Sequence, residues 1–198
     1  LKELSRPNLY LALVHYPVIN KAGEIIASAV TNLDLHDIAR AAKTYGVKKV
    51  YIVTPLEDQK ELVHKIVSHW TRGSGSEYNG LRKEALQLIE IEASLESVAS
   101  RIEGFCSVKP KTIMTCARDM AERTCFEDIR EKLKTGDPHL LVFGTAWGLA
   151  EGLLDSADYI LEPIRGNTGY NHLSVRSAAS IILDRLLPEG CYTQPACG

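Results

Sequence analysis

Short, continuously apolar, β-branched runs alternating with longer stretches of helical spacing constrain this chain more than any other feature of its sequence. Leu9–His15 (LYLALVH), Val50–Thr54, Leu88–Ile91, Thr112–Met114, Leu140–Phe143 and Tyr159–Leu161 read as strands. Most of these runs lack polar alternation, so neither face can meet water, as in parallel strands covered on both sides. Between them, Leu33–Tyr45, Asp58–His69, Leu95–Ile102, Phe126–Leu133 and Leu173–Leu187 carry helical spacing. In the second of these, Leu62, Ile66 and either Val63 or Val67 share one face. The pattern predicts an α/β fold in a single domain, a mostly parallel sheet with helices on both faces. Residues 9–187 hold all of it; 1–8 read as a lead-in, and 188–198, with two prolines, two cysteines and no apolar period, as a loose tail. Ligands of such sheets bind outside the carboxyl ends of the strands, which singles out the loops after Thr54, Met114, Phe143 and Leu161.

A chain of 198 residues, 45% hydrophobic and 24% charged, can bury a core without disulfide or zinc staples. Its five cysteines (Cys106, Cys116, Cys125, Cys191 and Cys197) are odd in number and form no C-x-x-C pair. That usage favours a reducing, cytoplasmic setting, and no metal site is predicted. No apolar run reaches the ~18 residues of a membrane span, and no signal-peptide pattern is present. The first residue, Leu1, fits either a trimmed start or a piece of a longer polypeptide. A formal charge of -2 argues against non-specific coating of nucleic acid, which rests on many basic contacts. A nucleic-acid partner would need a local basic patch, or one assembled across a dimer.

Two loops are rich in chemistry-bearing types. Phe143-Gly144-Thr145-Ala146-Trp147-Gly148-Leu149 follows a strand directly, and its glycines suit a tight loop around a flat ligand, or an ordinary strand-to-helix turn. Glu162-Pro163-Ile164-Arg165-Gly166-Asn167-Thr168-Gly169-Tyr170-Asn171-His172 follows the last strand as a long ordered loop. After it, Leu173-Ser174-Val175-Arg176-Ser177-Ala178-Ala179 opens the final helix with small residues that permit close packing on backbone or ligand.

Together these segments resemble the SPOUT methyltransferases: a strand ending L-V-F-G, a Gly-Leu loop, a strand ending E-P-I, a polar loop, and a helix opening L-S-V-x-S-A-A. The stretch from Asn32 to Pro55, with His36 to Ala42 and Tyr45-Gly46-Val47, is similar to the N-x-G-x-x-x-R motif of the ribose-methylating branch. Thr115-Cys116-Ala117-Arg118 is similar to that branch's T-S-A-R turn. The resemblance spans roughly Leu9 to Leu187. It implies a C-terminal trefoil knot holding a bent S-adenosylmethionine, a homodimer formed through the knot region, and methylation of RNA, tRNA or rRNA, on a ribose 2′-oxygen or a base nitrogen. The sequence departs from the branch at two places. Gly144-Thr145-Ala146 has no carboxylate where the branch has G-x-E, and His172 stands where its S-L-N-V-S has Asn.

The resemblance implies cofactor contacts from Thr115, Gly144, Thr145, Gly148, Leu149, Ile164, Leu173, Ser174 and Val175. It aligns Arg40 with the arginine placed at the acceptor. A guanidinium stays charged, so Arg40 would orient a phosphate or stabilise an oxyanion; the alternative is a surface helix charge. His172 has the pKa range for proton transfer and equally suits capping the last helix. His69 to Arg82 joins aromatic and basic residues around a Gly-Ser centre, which predicts a flexible loop contacting unpaired RNA through Arg72, Tyr78, Asn79 and Arg82. Arg165 and Asn167 offer further RNA contacts. The rival reading is a non-catalytic accessory domain that binds S-adenosylmethionine and RNA. A dehydrogenase-like domain is disfavoured, because no G-x-G-x-x-G follows the first strand.

Overall fold

The computed structural model describes residues 7–118 and 120–189; the remainder of the expected lead-in and tail, with Cys191 and Cys197, lies outside the described residues. Strands β1 (Leu9–Val14), β4 (Val50–Val53), β5 (Ile89–Glu92), β6 (Lys111–Thr115), β7 (His139–Gly144) and β8 (Tyr159–Leu161) form one sheet in the order β5-β4-β1-β7-β6-β8. Every pairing in it is parallel. The strand expectations hold to within a residue or two.

β1 explains why its sequence does not alternate in polarity: it is central, and both of its faces are buried. Leu9, Leu11 and Leu13 point into one core with Leu35, Ile38 and Ala42 of α1 (Asn32–Thr44), Ile129 and Leu133 of α6 (Phe126–Leu133), and Ile182 and Leu186 of α8 (Val175–Leu186). Tyr10, Ala12 and Val14 point into the other, against Val98 and Ile102 of α5 (Leu95–Cys106) and Leu154 of α7 (Glu151–Asp155). The period-two geometry of a strand therefore builds two cores from one apolar run. β5 is an edge strand, and its Glu90 and Glu92 pair with Lys49 and Arg101, charges that discourage pairing with another chain.

Helix ends follow their capping residues. The Thr31 hydroxyl accepts the Asp34 N–H at 3.2 Å to start α1, and Ser94 with Ser97 forms a reciprocal capping box on α5. α8 begins at Val175, later than expected, because Ser174 is its N-cap and accepts the Ser177 N–H at 3.2 Å. α1 and α8 are pinned by Tyr45 O–H to Asp184 at 2.8 Å and by Arg176 to Asp34 and Asp37 at 3.2 and 3.3 Å.

The expected flexible loop from His69 to Arg82 is corrected. α2 (Glu57–Thr71) runs on into α3 (Gly75–Tyr78) and α4 (Gly80–Leu86). Gly75 is buried, and a Cβ there would stand 2.7 Å from the Trp70 ring, so this glycine serves close packing and not mobility. A small antiparallel hairpin, β2 (Val18–Ile19) with β3 (Ile25–Ile26), follows β1. Its turn is held by Asn20, whose side-chain oxygen accepts the N–H groups of Ala22 and Glu24. Among the described residues no helix is long and apolar enough to cross a membrane.

Candidate functional site

The carboxyl ends of β1, β6, β7 and β8 open into one cleft of about 1170 Å³. Its walls are the hairpin turn 19–23, the turn 115–118 after β6, the loop 143–148 after β7, and the segments 162–164 and 171–176 after β8; Leu33 and Asp34 of α1 close the side. Three of the four loops singled out in the sequence meet here; the loop after Thr54 does not. The cleft lies where the chain, having built β4 and β5 on one side of β1, crosses to build β6 to β8 on the other, the usual ligand position in open α/β sheets. Pockets for small ligands run to about 300–1,000 Å³, so this cleft can take a cofactor together with part of a second molecule.

The loop after β7 is shaped by its own backbone. At Gly144 a Cβ would stand 2.7 Å from the Leu149 nitrogen, so the close approach predicted for a ligand is first an approach to the loop itself. Gly148 has φ +112°, and Ala146 also lies in the left-handed region at +52°. Ile19 N–H donates to the Gly148 carbonyl at 3.0 Å and Trp147 N–H to the Ile19 carbonyl at 3.1 Å, strapping this loop to the hairpin. Leu149, also expected at the cofactor, has its side chain buried in the core under the loop and is not among the residues lining the cleft.

The loop after β8 is anchored twice. Glu162 accepts the Phe126 N–H at 2.9 Å, capping α6, whose N-cap residue Cys125 makes no side-chain bond. Asn171 donates its side-chain N–H to the Ala117 carbonyl at 2.9 Å, joining the loops after β6 and β8 across the mouth. His172 lines the cleft, edge-on to Tyr170 with ring centroids 5.6 Å apart. Thr115, Gly144, Thr145, Gly148, Ile164, Leu173, Ser174 and Val175 also line it, so this set is brought together as expected.

The other expected residues lie elsewhere. Arg40 is exposed on α1 and is not part of the cleft wall of its own chain. Arg72 is exposed, and Tyr78 is 87% exposed. Asn79 is occupied as the N-cap of α4, accepting the Arg82 N–H at 3.0 Å. Arg82 lies half-buried with its guanidinium 4.5 Å from the centre of the Trp70 ring, which His36 and His69 flank edge-on. Burial and the Arg82 charge hold His36 below its ordinary pKa. Arg165 and Asn167 are exposed on the long loop.

Sequence reasoning missed two groups at the cleft. One is Arg176, held by Asp34 and Asp37 on the cleft wall. The other is a hydroxyl chain beneath the loop after β7. His15 Nδ1 lies 3.0 Å from Ser28 Oγ, which lies 2.5 Å from Thr145 Oγ1, whose hydroxyl donates to the Val14 carbonyl at 3.0 Å. A hairpin signal was present in the sequence, Val-Ile and Ile-Ile flanking Asn20-Lys21-Ala22-Gly23-Glu24. Nothing local marked His15 or Arg176, whose positions depend on contacts between distant segments.

An α/β sheet carrying a cleft with apolar walls (Phe143, Ile164, Val175, Ile182) and hydroxyl and backbone groups at its loops defines a nucleotide-cofactor-binding domain. The family model described as SAM-dependent RNA methyltransferase matches residues 8–188, and the chain belongs to that family. A protein of Oleidesulfovibrio alaskensis named tRNA (guanine-N(1)-)-methyltransferase is 48% identical over 188 residues, 95% of this chain and 44% of its own length. This chain thus spans less than half of that relative. A protein of Aquifex aeolicus is 39% identical over 180 residues, 90% of this chain and 88% of its own length, so there the matched unit makes up nearly the whole protein. Among solved structures, the A. aeolicus TrmH/SpoU tRNA modifying enzyme superposes with a TM-score of 0.58 at 16% identity, covering 99% of this chain and 84% of that one. That likeness shows that the two chains share a fold.

Proposed function

We propose that this chain transfers a methyl group from S-adenosylmethionine to a nucleotide of tRNA or rRNA, at a ribose 2′-oxygen or a ring nitrogen. The observation that carries the reading is the cleft itself: the loops that match the family's motifs converge on it, and it exceeds the volume of an ordinary cofactor pocket. The domain spans residues 9–187, and the path of the loop after β8 into α8 forms the trefoil knot. The residues fit the cofactor. Apolar Phe143, Ile164, Val175 and Ile182 suit a flat base, and the loop after β7 offers backbone groups to its edge.

Bound S-adenosylmethionine supplies an electrophilic methyl on a sulfonium sulfur. The protein's part is to hold the acceptor in line and to take its proton. In this reading His172, which lines the cleft, accepts that proton. Arg40 lies outside its own chain's cleft, so in this reading it serves the cleft of a second copy in a homodimer, orienting a phosphate or stabilising the developing oxyanion. Arg72, Tyr78 and Arg82 on the α2–α4 side, with Arg165 and Asn167 on the long loop, extend the RNA surface. The protein works in the cytoplasm, where a reducing medium keeps Cys106, Cys116 and Cys125 as the free thiols they are in the fold.

Calorimetric titration with S-adenosylmethionine, followed by labelled methyl transfer to tRNA and rRNA pools and mass spectrometry of the digested nucleosides, tests the reading. Micromolar binding and a methylated nucleoside are expected; binding neither alone nor with RNA present refutes it. A second reading, a non-catalytic S-adenosylmethionine- and RNA-binding accessory domain, is favoured by Thr145-Ala146 standing where a carboxylate is expected and by the greater length of the O. alaskensis relative. Cofactor binding without transfer to any RNA would select it.

A further inference from the structure

His15 is fully buried at the end of β1, and its backbone is fixed from both sides: its N–H donates to the Val53 carbonyl at 2.9 Å, and its carbonyl accepts the Ser28 N–H at 2.8 Å. Its ring begins the chain His15–Ser28–Thr145–Val14, and Ser28 and Thr145 both line the cleft. The direction of this chain follows from its end. A carbonyl only accepts, so the single Thr145 proton goes to Val14; Ser28 must then donate to Thr145, and His15 must donate to Ser28 through Nδ1–H. Burial lowers the His15 pKa, opposed in part by Asp34 and by the backbone of Ser28 and Ala29, which favours the neutral ring; with its proton on Nδ1, Nε2 is bare. That buried nitrogen has no partner among the described residues, an arrangement that ordinary core packing does not favour.

Two consequences follow. The chain cannot pass a proton toward His15, because Nδ1 is already protonated. Both hydroxyl protons are spent inside the chain, so toward the cleft Ser28 and Thr145 have only lone pairs to offer. We propose that His15 is a positioning residue that fixes the Ser28 and Thr145 hydroxyls as a pair of hydrogen-bond acceptors in the cleft wall, specific for an N–H or O–H group of the bound cofactor or of the acceptor nucleotide. This inference rests on the methyltransferase reading and adds a recognition element at the place where the carboxylate of the related branch is missing.

The test uses the intact chain. Thr145→Val removes the hydroxyl without changing the shape much, and Thr145→Ser restores it. Each variant is measured for S-adenosylmethionine Kd by calorimetry and for RNA KM at saturating cofactor, with thermal melting as a check on folding. Thr145→Val is expected to weaken one of the two about tenfold, the worth of one hydrogen bond, and Thr145→Ser to recover it. A changed Kd assigns the donor to the cofactor; a changed KM assigns it to the RNA. His15→Asn keeps an N–H near the Nδ1 position, whereas His15→Gln moves it toward the Nε2 position. The first is expected to retain the Thr145-dependent affinity and the second to lose it, a split that a purely structural His15 would not produce. Wild-type protein that binds cofactor and methylates RNA, with Thr145→Val folded and within twofold in both constants, overturns the acceptor pair alone. Failure of the wild-type protein to bind cofactor even with RNA present overturns the methyltransferase reading and the acceptor pair with it.

Discussion

Gly144 sets the shape of the cleft floor by having no side chain. A methyl there would press on the backbone of Gly148 and Leu149, so Gly144→Ala is expected to cost about 1–3 kcal/mol of stability. It should also weaken cofactor binding; denaturant titration and calorimetry would show both, and an unchanged unfolding midpoint would mean that the loop yields freely. The two buried histidines predict a pH dependence. Burial lowers the pKa of His15 and of His139 from the ordinary 6.5. Between that value and their lower folded values the unfolded chain binds more protons, so stability is full above 6.5 and declines as the pH falls below it. Melting temperatures followed from about pH 8 to about pH 5 should drop, and His139→Gln should flatten the slope. At this scale the sequence was half legible. Gly144, Thr145 and His172 were singled out by type and place and do line the cleft, whereas Ser28 is an ordinary serine until the hairpin folds it against Thr145.

At the scale of elements, strands were readable because a strand buried on both faces must be continuously apolar, as β1 and the Leu140–Phe143 run of β7 are. The hairpin was overlooked: its two-residue strands carry no period, and only the turn residues Asn20 to Glu24 between Val-Ile and Ile-Ile mark it. The α3–α4 segment was misread because glycine has two uses, and Gly75 answers to the Trp70 ring and not to a turn. The link between β8 and α6 yields a prediction here. Glu162 supplies the cap that Cys125 does not, so Glu162→Ala is expected to cost about 1 kcal/mol and to fray the start of α6. Amide exchange at Phe126 would report it; unchanged protection there would mean that another group takes over the cap.

For the whole molecule, the position of Arg40 separates two outcomes. If transfer needs Arg40 from a second copy, Arg40→Ala is expected to abolish methylation while leaving the calorimetric Kd for S-adenosylmethionine within about twofold of wild type, a change below 0.5 kcal/mol. Sedimentation should then show a dimer, and full activity in the variant would remove Arg40 from the mechanism. The central place of β1 also bears on how the chain is made. Val14 at the end of β1 finds Thr145 only 131 residues further along the chain. At the ~5–20 residues per second of synthesis, that is a delay of roughly 7–26 s. Through this interval one edge of an entirely apolar strand is without its neighbour while the ribosome completes β7, the condition under which nascent chains aggregate or engage chaperones. The strand that organises both cores is therefore also the one whose final partner arrives late, and overexpression in cells short of chaperones should lose yield at this step before any other.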